Sequence, residues 1–134
     1  MRTTLLLTLL LMVAAPGRAA DDIAAAQNVI SAQEQAFDRD DAAAAYSFAA
    51  PAIKKIFPSA DIFMLMVQNT YAPVYRHRSF EFGEAKVDGD RVAQRVHIAD
   101  ANGEAWEALY TLEREADGSF KITGYTLSKA GQPV

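Results

Sequence analysis

Residues 76–127 read RHRSFEFGEAKVDGDRVAQRVHIADANGEAWEALYTLEREADGSFKITGYTL. Apolar and polar residues alternate along this stretch with a period of two, the pattern of half-buried strands. Three glycine-bearing turns interrupt it: Val87-Asp88-Gly89, Ala101-Asn102-Gly103 and Ala116-Asp117-Gly118. The spacing predicts four strands over 76–86, 91–100, 104–114 and 119–127. Each loop is expected to have three residues, with glycine in the left-handed position. A two-residue loop would set the apolar face of one strand against the polar face of the next. On the outer face this antiparallel meander pairs Glu81 with Arg95, Arg91 with Glu113 and His97 with Glu107, and opposite charges support the register. The buried face then holds Phe80, Phe82, Val92, Val96, Ile98, Trp106, Ala108, Leu112 and Ile122. Gly124 falls opposite Tyr110, where a missing side chain leaves room for the ring.

Upstream, from Asp22 to about Tyr71, the period is helical. Ile23, Ala26, Ile30, Gln33 and Phe37 recur at spacings of three and four, with Val29 and Ala36 widening the stripe. Asp22 is expected to cap this first helix, and Asp40 or Asp41 a second over Ala42 to Ala49. Pro51 suits the first turn of a third piece ending near Phe57. Ser59 caps a last helix running to about Thr70. Its core, Ile62 to Val67, is apolar on all sides, which predicts burial on more than one face.

The first twenty residues stand outside this pattern. Arg2 is followed by an apolar run from Leu5 to Ala15, then by Pro16-Gly17 and the small residues Ala19 and Ala20. This is the layout of a secretory signal peptide cut after Ala19 or Ala20, and the run is too short for a span, which needs about twenty residues. The expected organisation is a signal peptide at 1–20, a single domain at 21–128 and a C-terminal tail at 129–134, with the mature protein periplasmic or secreted. Losing Arg2 and Arg18 takes the formal charge from −4 to −6. An acidic balance argues against nucleic acid as a partner, and no stable membrane anchor is expected. With 51% apolar and 22% charged residues the chain is globular in composition, and the absence of cysteine excludes disulfides, thiol catalysis and a lipoprotein anchor.

Helices followed by a four-stranded meander predict an α+β fold, the helices packed in the concave face of a curved antiparallel sheet. This resembles the cone-shaped nuclear transport factor 2-like (SnoaL-like, cystatin-like) fold. More narrowly, the chain resembles the bacterial domain of unknown function 4864 family. The resembling segments include Asp40-Asp41-Ala42-Ala43-Ala44-Ala45-Tyr46, Tyr71-Ala72-Pro73-Val74-Tyr75, Ala108-Leu109-Tyr110-Thr111-Leu112 and Asp117-Gly118-Ser119-Phe120-Lys121-Ile122-Thr123-Gly124. The resemblance covers nearly all of the mature chain and implies no particular chemistry. The wider fold hosts isomerases, dehydratases, hydrolases and non-catalytic modules, so fold does not fix function.

Few residues suggest chemistry. With two histidines, His97 reads as a surface partner of Glu107, and His77 between Arg76 and Arg78 is a poor metal ligand, so neither a metal nor a cofactor is expected. The strands carry one acidic residue of inward parity, Glu84, a weak candidate for a general base. Gln33 and Gln94 interrupt apolar faces, and Trp106 and Tyr110 join them on the interlayer side. These polar groups either satisfy one another or line a small apolar ligand pocket, with Tyr46 or Arg78 at its rim. Three functions follow: a non-catalytic exported module with a small ligand pocket, an isomerase, dehydratase or hydrolase, and a structural homodimer without ligand.

Overall fold

The computed structural model describes residues 17–131; most of the predicted signal peptide and the end of the predicted tail lie outside them. Helices α1 (Gly17–Asp38), α2 (Ala42–Ser47), α3 (Pro51–Ile56), α4 (Ala60–Thr70) and α5 (Ala72–Tyr75) precede strands β1 (His77–Asp88), β2 (Arg91–Asp100), β3 (Ala105–Arg114) and β4 (Phe120–Lys129). The local signals act as their chemistry requires. Asp41 accepts the Ala44 amide at 3.0 Å and Ser59 that of Ile62 at 3.1 Å, each capping its helix. Pro51 opens α3. Asp22 does not cap: α1 begins at Gly17, and the Asp22 carboxylate takes Arg114 Nη2 at 2.6 Å instead.

The strands form one antiparallel sheet in the order β1-β2-β3-β4. Helix α1 touches β1, β2 and β4. One helix can reach both edge strands when the sheet curls around it, so the helices occupy the concave side. The α2–α3 link extends the far edge: Ala50 N donates to Ile122 O and Ile122 N to Phe48 O, both at 2.8 Å, which covers part of the exposed ladder of β4.

The β2–β3 register matches expectation throughout, with Arg91 opposite Glu113, Gln94 opposite Tyr110 and His97 opposite Glu107. The outer pairs depart from it because each contains a bulge. In β1, Gly83 and Glu84 together face Arg95, so Phe82 pairs with Val96 and Ala85 with Gln94. One extra residue shifts the parity, and the strands then close through two residues, Gly89 and Asp90, between Asp88 and Arg91. Glu81 consequently faces His97, and Arg95 reaches Glu107 at 3.2 Å. In β4 the extra residue is Thr123: Gly124 faces Thr111 on the outer side, and Tyr125 takes the place opposite Tyr110. The expected gap beside Tyr110 is therefore filled by a ring, the two meeting edge to face at 4.9 Å. Strand β4 also runs on to Lys129, into the stretch read from sequence as tail.

The core lies between α1 and the sheet. Ala26, Ile30, Ala36 and Phe37 of the predicted stripe are buried against Val92, Val96, Ile98, Ala108, Leu112 and Ile122. Phe82 departs from expectation and is 36% exposed, because it stands at the β1 bulge on the edge strand. Phe37 joins the layers, stacking on Phe63 of α4 at 6.3 Å and meeting Tyr75 at 5.7 Å. Phe37→Ala should lower stability by about 3–5 kcal/mol in chemical denaturation.

Candidate functional site

Gln94 is fully buried in β2. A bulge frees carbonyls that a regular ladder would occupy, and a buried carbonyl without a donor is destabilising. The Gln94 amide answers this, its Nε2 facing Gly83 O at 3.0 Å and Glu84 O at 3.3 Å as well as Arg95 O of its own strand at 2.7 Å. Gln27 of α1 then donates to Gln94 Oε1 at 3.0 Å, so a chain of amides fastens helix, β2 and the β1 bulge together. Gly83 has a second role. A Cβ there would stand 2.6 Å from His97 Nε2, so the bulge admits the imidazole through a missing side chain.

Gln33, also fully buried, does the same for the helical layer. Its Nε2 donates to Ala45 O in α2 at 3.1 Å, and its Oε1 accepts the Tyr125 hydroxyl at 2.5 Å. Gln33 and Gln94 thus serve separate networks, one tying α1 to α2 and β4, the other tying α1 to β2 and β1. Burial pushes the Tyr110 hydroxyl well above the ordinary tyrosine range, reinforced by Tyr125 and Glu34. Burial raises Tyr125 likewise, against the opposing effect of its bond to Gln33. Both phenols stay neutral.

The other expected site residues are spread over the fold. Trp106 donates its indole N–H to Asp100 Oδ2 at 2.9 Å, and the cation over its ring is Lys129, at 5.7 Å. Arg78 is an exposed extra residue in β1, its guanidinium near the Gly103 turn. Tyr46 donates to Phe57 O at 2.6 Å, fixing the α3–α4 link. Glu84 is exposed, because the bulge reverses the parity that had pointed it inward.

Three groupings join residues far apart in sequence, and spacing alone had not connected them. His77 stands between Glu34 Oε1, at 2.9 Å from Nε2, and Pro73 O, at 3.0 Å from Nδ1, with its ring on Phe80 at 4.9 Å. Arg114 bridges Asp22 and Asp90 and lies over Phe120. Asp40, in a left-handed conformation at φ 57°, accepts Tyr75 and Arg76, and these bonds hold its carboxyl below the ordinary range. No group of three or more His, Asp or Glu residues that could hold a metal occurs among the described residues, and no helix among them is long and apolar enough to cross a membrane.

Two surface features complete the picture. The outer face of the sheet has a depression of about 430 Å³ around Ala93 and Thr111, framed by Lys86, Arg91 and Glu113. On the helical side α4 buries Phe63, Met64 and Val67 but leaves Ile62 and Leu65 exposed, so burial on several faces is not reached within one chain.

A family model described as "Domain of unknown function (DUF4864)" matches residues 19–134. Among solved structures, an NTF-2 like protein of unknown function from Silicibacter pomeroyi DSS-3 is similar at 18% identity and a TM-score of 0.55, over 83% of this chain and 98% of that one. An NTF2-like protein of unknown function from Shewanella baltica OS155 is similar at 11% identity and a TM-score of 0.54, over 83% and 97%. These likenesses establish the nuclear transport factor 2-like α+β fold. Comparison with curated proteins gives no match.

Two outcomes test the electrostatics and the amides. The indole N–H of Trp106, with the turn amides, depresses the Asp100 carboxyl. A carboxyl depressed in the folded state adds stability above its unfolded value and loses it as pH falls through the folded value. Asp100→Asn should therefore flatten the acid limb of thermal stability below about pH 4. Gln94→Leu strands the bulge carbonyls and should cost about 1–3 kcal/mol in denaturant titrations.

Proposed function

This chain belongs to the DUF4864 family, and we propose that its domain is an exported, non-catalytic module that works as a homodimer, its interior given over to packing and its contacts made by its surface. One observation carries this reading. The two buried amides, Gln33 and Gln94, spend their hydrogen bonds on the protein's own groups. A ligand site needs polar groups left over for its ligand, and these have been taken by the fold.

Export is supported from both sides of the expected cut. The apolar run Leu5 to Ala15 precedes small residues at Ala19 and Ala20. In the folded domain Arg18, Ala19, Ala20 and Asp21 are exposed, and the first buried residue among those described is Asp22, held by Arg114. Of the described residues, Arg18, Ala19 and Ala20 thus leave with no packed side chain on cleavage after Ala19 or Ala20. Pairing is supported by α4, which carries more apolar surface than one copy covers.

Protein isolated from the periplasm should show an intact mass lacking the first 19 or 20 residues, and should sediment as a dimer at micromolar concentration. A full-length, membrane-associated form would overturn export, and a monomer throughout that range would overturn pairing.

A further inference from the structure

The apolar surplus of the helical layer is concentrated where α3 passes into α4. Ile56 is 71% exposed, Leu65 57% and Ile62 48%. A single exposed apolar side chain is ordinary, but three large ones within one helix–link–helix segment are a concentration of apolar surface of the kind that marks an interaction surface. The charges beside it have an order. Lys54 and Lys55 occupy the last turn of α3, immediately before Ile56. Asp61 stands in the first turn of α4. Next to α4 is a groove of about 380 Å³ lined by Asp40, Asp61, Met64, Leu65, Gln68 and Tyr75. Asp40 is already engaged by Tyr75 and Arg76, whereas Asp61 joins none of the ion pairs of the described residues. Lys54 is half-buried with its ammonium over the Tyr46 ring at 5.1 Å, so the end of α3 projects one exposed cation, Lys55, beside exposed Ile56, and the flank of α4 is an apolar groove with a free carboxylate at its rim.

We propose that a second copy of this chain docks on this helical face, the Lys55–Ile56 protrusion of each copy entering the Asp61–Leu65 groove of the other. A two-fold axis that brings the end of α3 of each copy onto the groove of the other would satisfy both reciprocally, which is the requirement of an isologous interface. Charge complementarity selects the occupant. An anionic lipid surface attracts Lys54 and Lys55 but repels Asp61 and the acidic domain as a whole, and a basic partner does the reverse. A surface carrying both signs around apolar side chains meets both demands, and this chain has such a surface. The inference rests on the homodimer proposed above and assigns it to the helices, leaving the outer face of the sheet free.

Sedimentation velocity on the mature chain tests it with four variants. Leu65→Glu and Lys55→Glu should each weaken the dimer by about tenfold or more, as removal of a central contact does, without a change in the thermal melt. Adding Asp61→Lys to Lys55→Glu should restore most of the loss, because the pair is re-formed with reversed signs. Ala93→Arg, in the middle of the outer sheet face, should leave the dimer intact. The assignment is overturned if Ala93→Arg breaks the dimer while Lys55→Glu and Leu65→Glu do not, which would leave pairing itself standing. A wild-type monomer that binds phosphatidylglycerol vesicles through Lys55 overturns it differently, giving the patch to lipid and removing the homodimer as well. Lys55 is exposed, so its variant keeps the test open should Leu65→Glu fail to fold.

Discussion

A sheet that curls around a helix must break its own ladder, and the carbonyls released by the break need donors from inside the core. In this protein the break at Gly83–Glu84 and the donor at Gln94 form one unit. The bulge interrupts the β1–β2 ladder, Gln94 supplies N–H groups to the carbonyls beside it, and Gln27 binds the same amide to the helix. Remove the amide and the bulge loses its buried partners. Remove the bulge and the amide becomes a polar group without purpose among valines. The second network, through Gln33, fixes α2 and β4 on the same helix. Together the two amides set how tightly the sheet closes, and so how much interior space there is.

The bulges also explain which parts of the fold were legible in the sequence. The β2–β3 register followed from alternation and turn glycines because that hairpin is regular along its whole length. Helix caps at Asp41 and Ser59 were legible because capping is a local interaction. The β1–β2 and β3–β4 registers were not, since parity arguments assume an unbroken ladder and one inserted residue reverses every side chain beyond it. Glu84 and Gly124 were misplaced for this reason, whereas Phe82 keeps its inward parity opposite Val96 and is exposed because it stands on the edge strand beside the bulge. Asp22 was misread for another: its partner Arg114 is far away in sequence, and a helix-start residue near the chain's beginning reads as a cap whether or not it is one.

The candidate site shows the same division. Sequence identified Gln33 and Gln94 as interior polar residues, and they are. It did not supply their partners, because the acceptors are backbone atoms, the carbonyls of Ala45, Gly83, Glu84 and Arg95, which no side-chain pattern announces. A polar residue in a strongly curved sheet therefore has two explanations, a ligand or a bulge, and the arithmetic of freed backbone groups separates them. Where every acceptor the amide nitrogen meets is one of the protein's own carbonyls, here those of Gly83, Glu84 and Arg95, the fold accounts for the amide without a ligand.

That arithmetic moves the question of function outward. Stability in a cysteine-free domain of this size has to come from packing, and the interior is committed to it. Helix α4 carries the remaining asymmetry. Its inner face is complete in Phe63, Met64 and Val67, and Ile62 and Leu65 add nothing to the core of one chain. An exposed leucine and isoleucine on a helix otherwise well seated raise the risk of unspecific association without adding to the fold of one copy. Charges of both signs beside them, Lys55 on one side and Asp61 on the other, restrict that association to surfaces that match both. The physical logic of the helical face is thus selective adhesion: apolar contact supplies the attraction, and the paired charges determine what is allowed to make it.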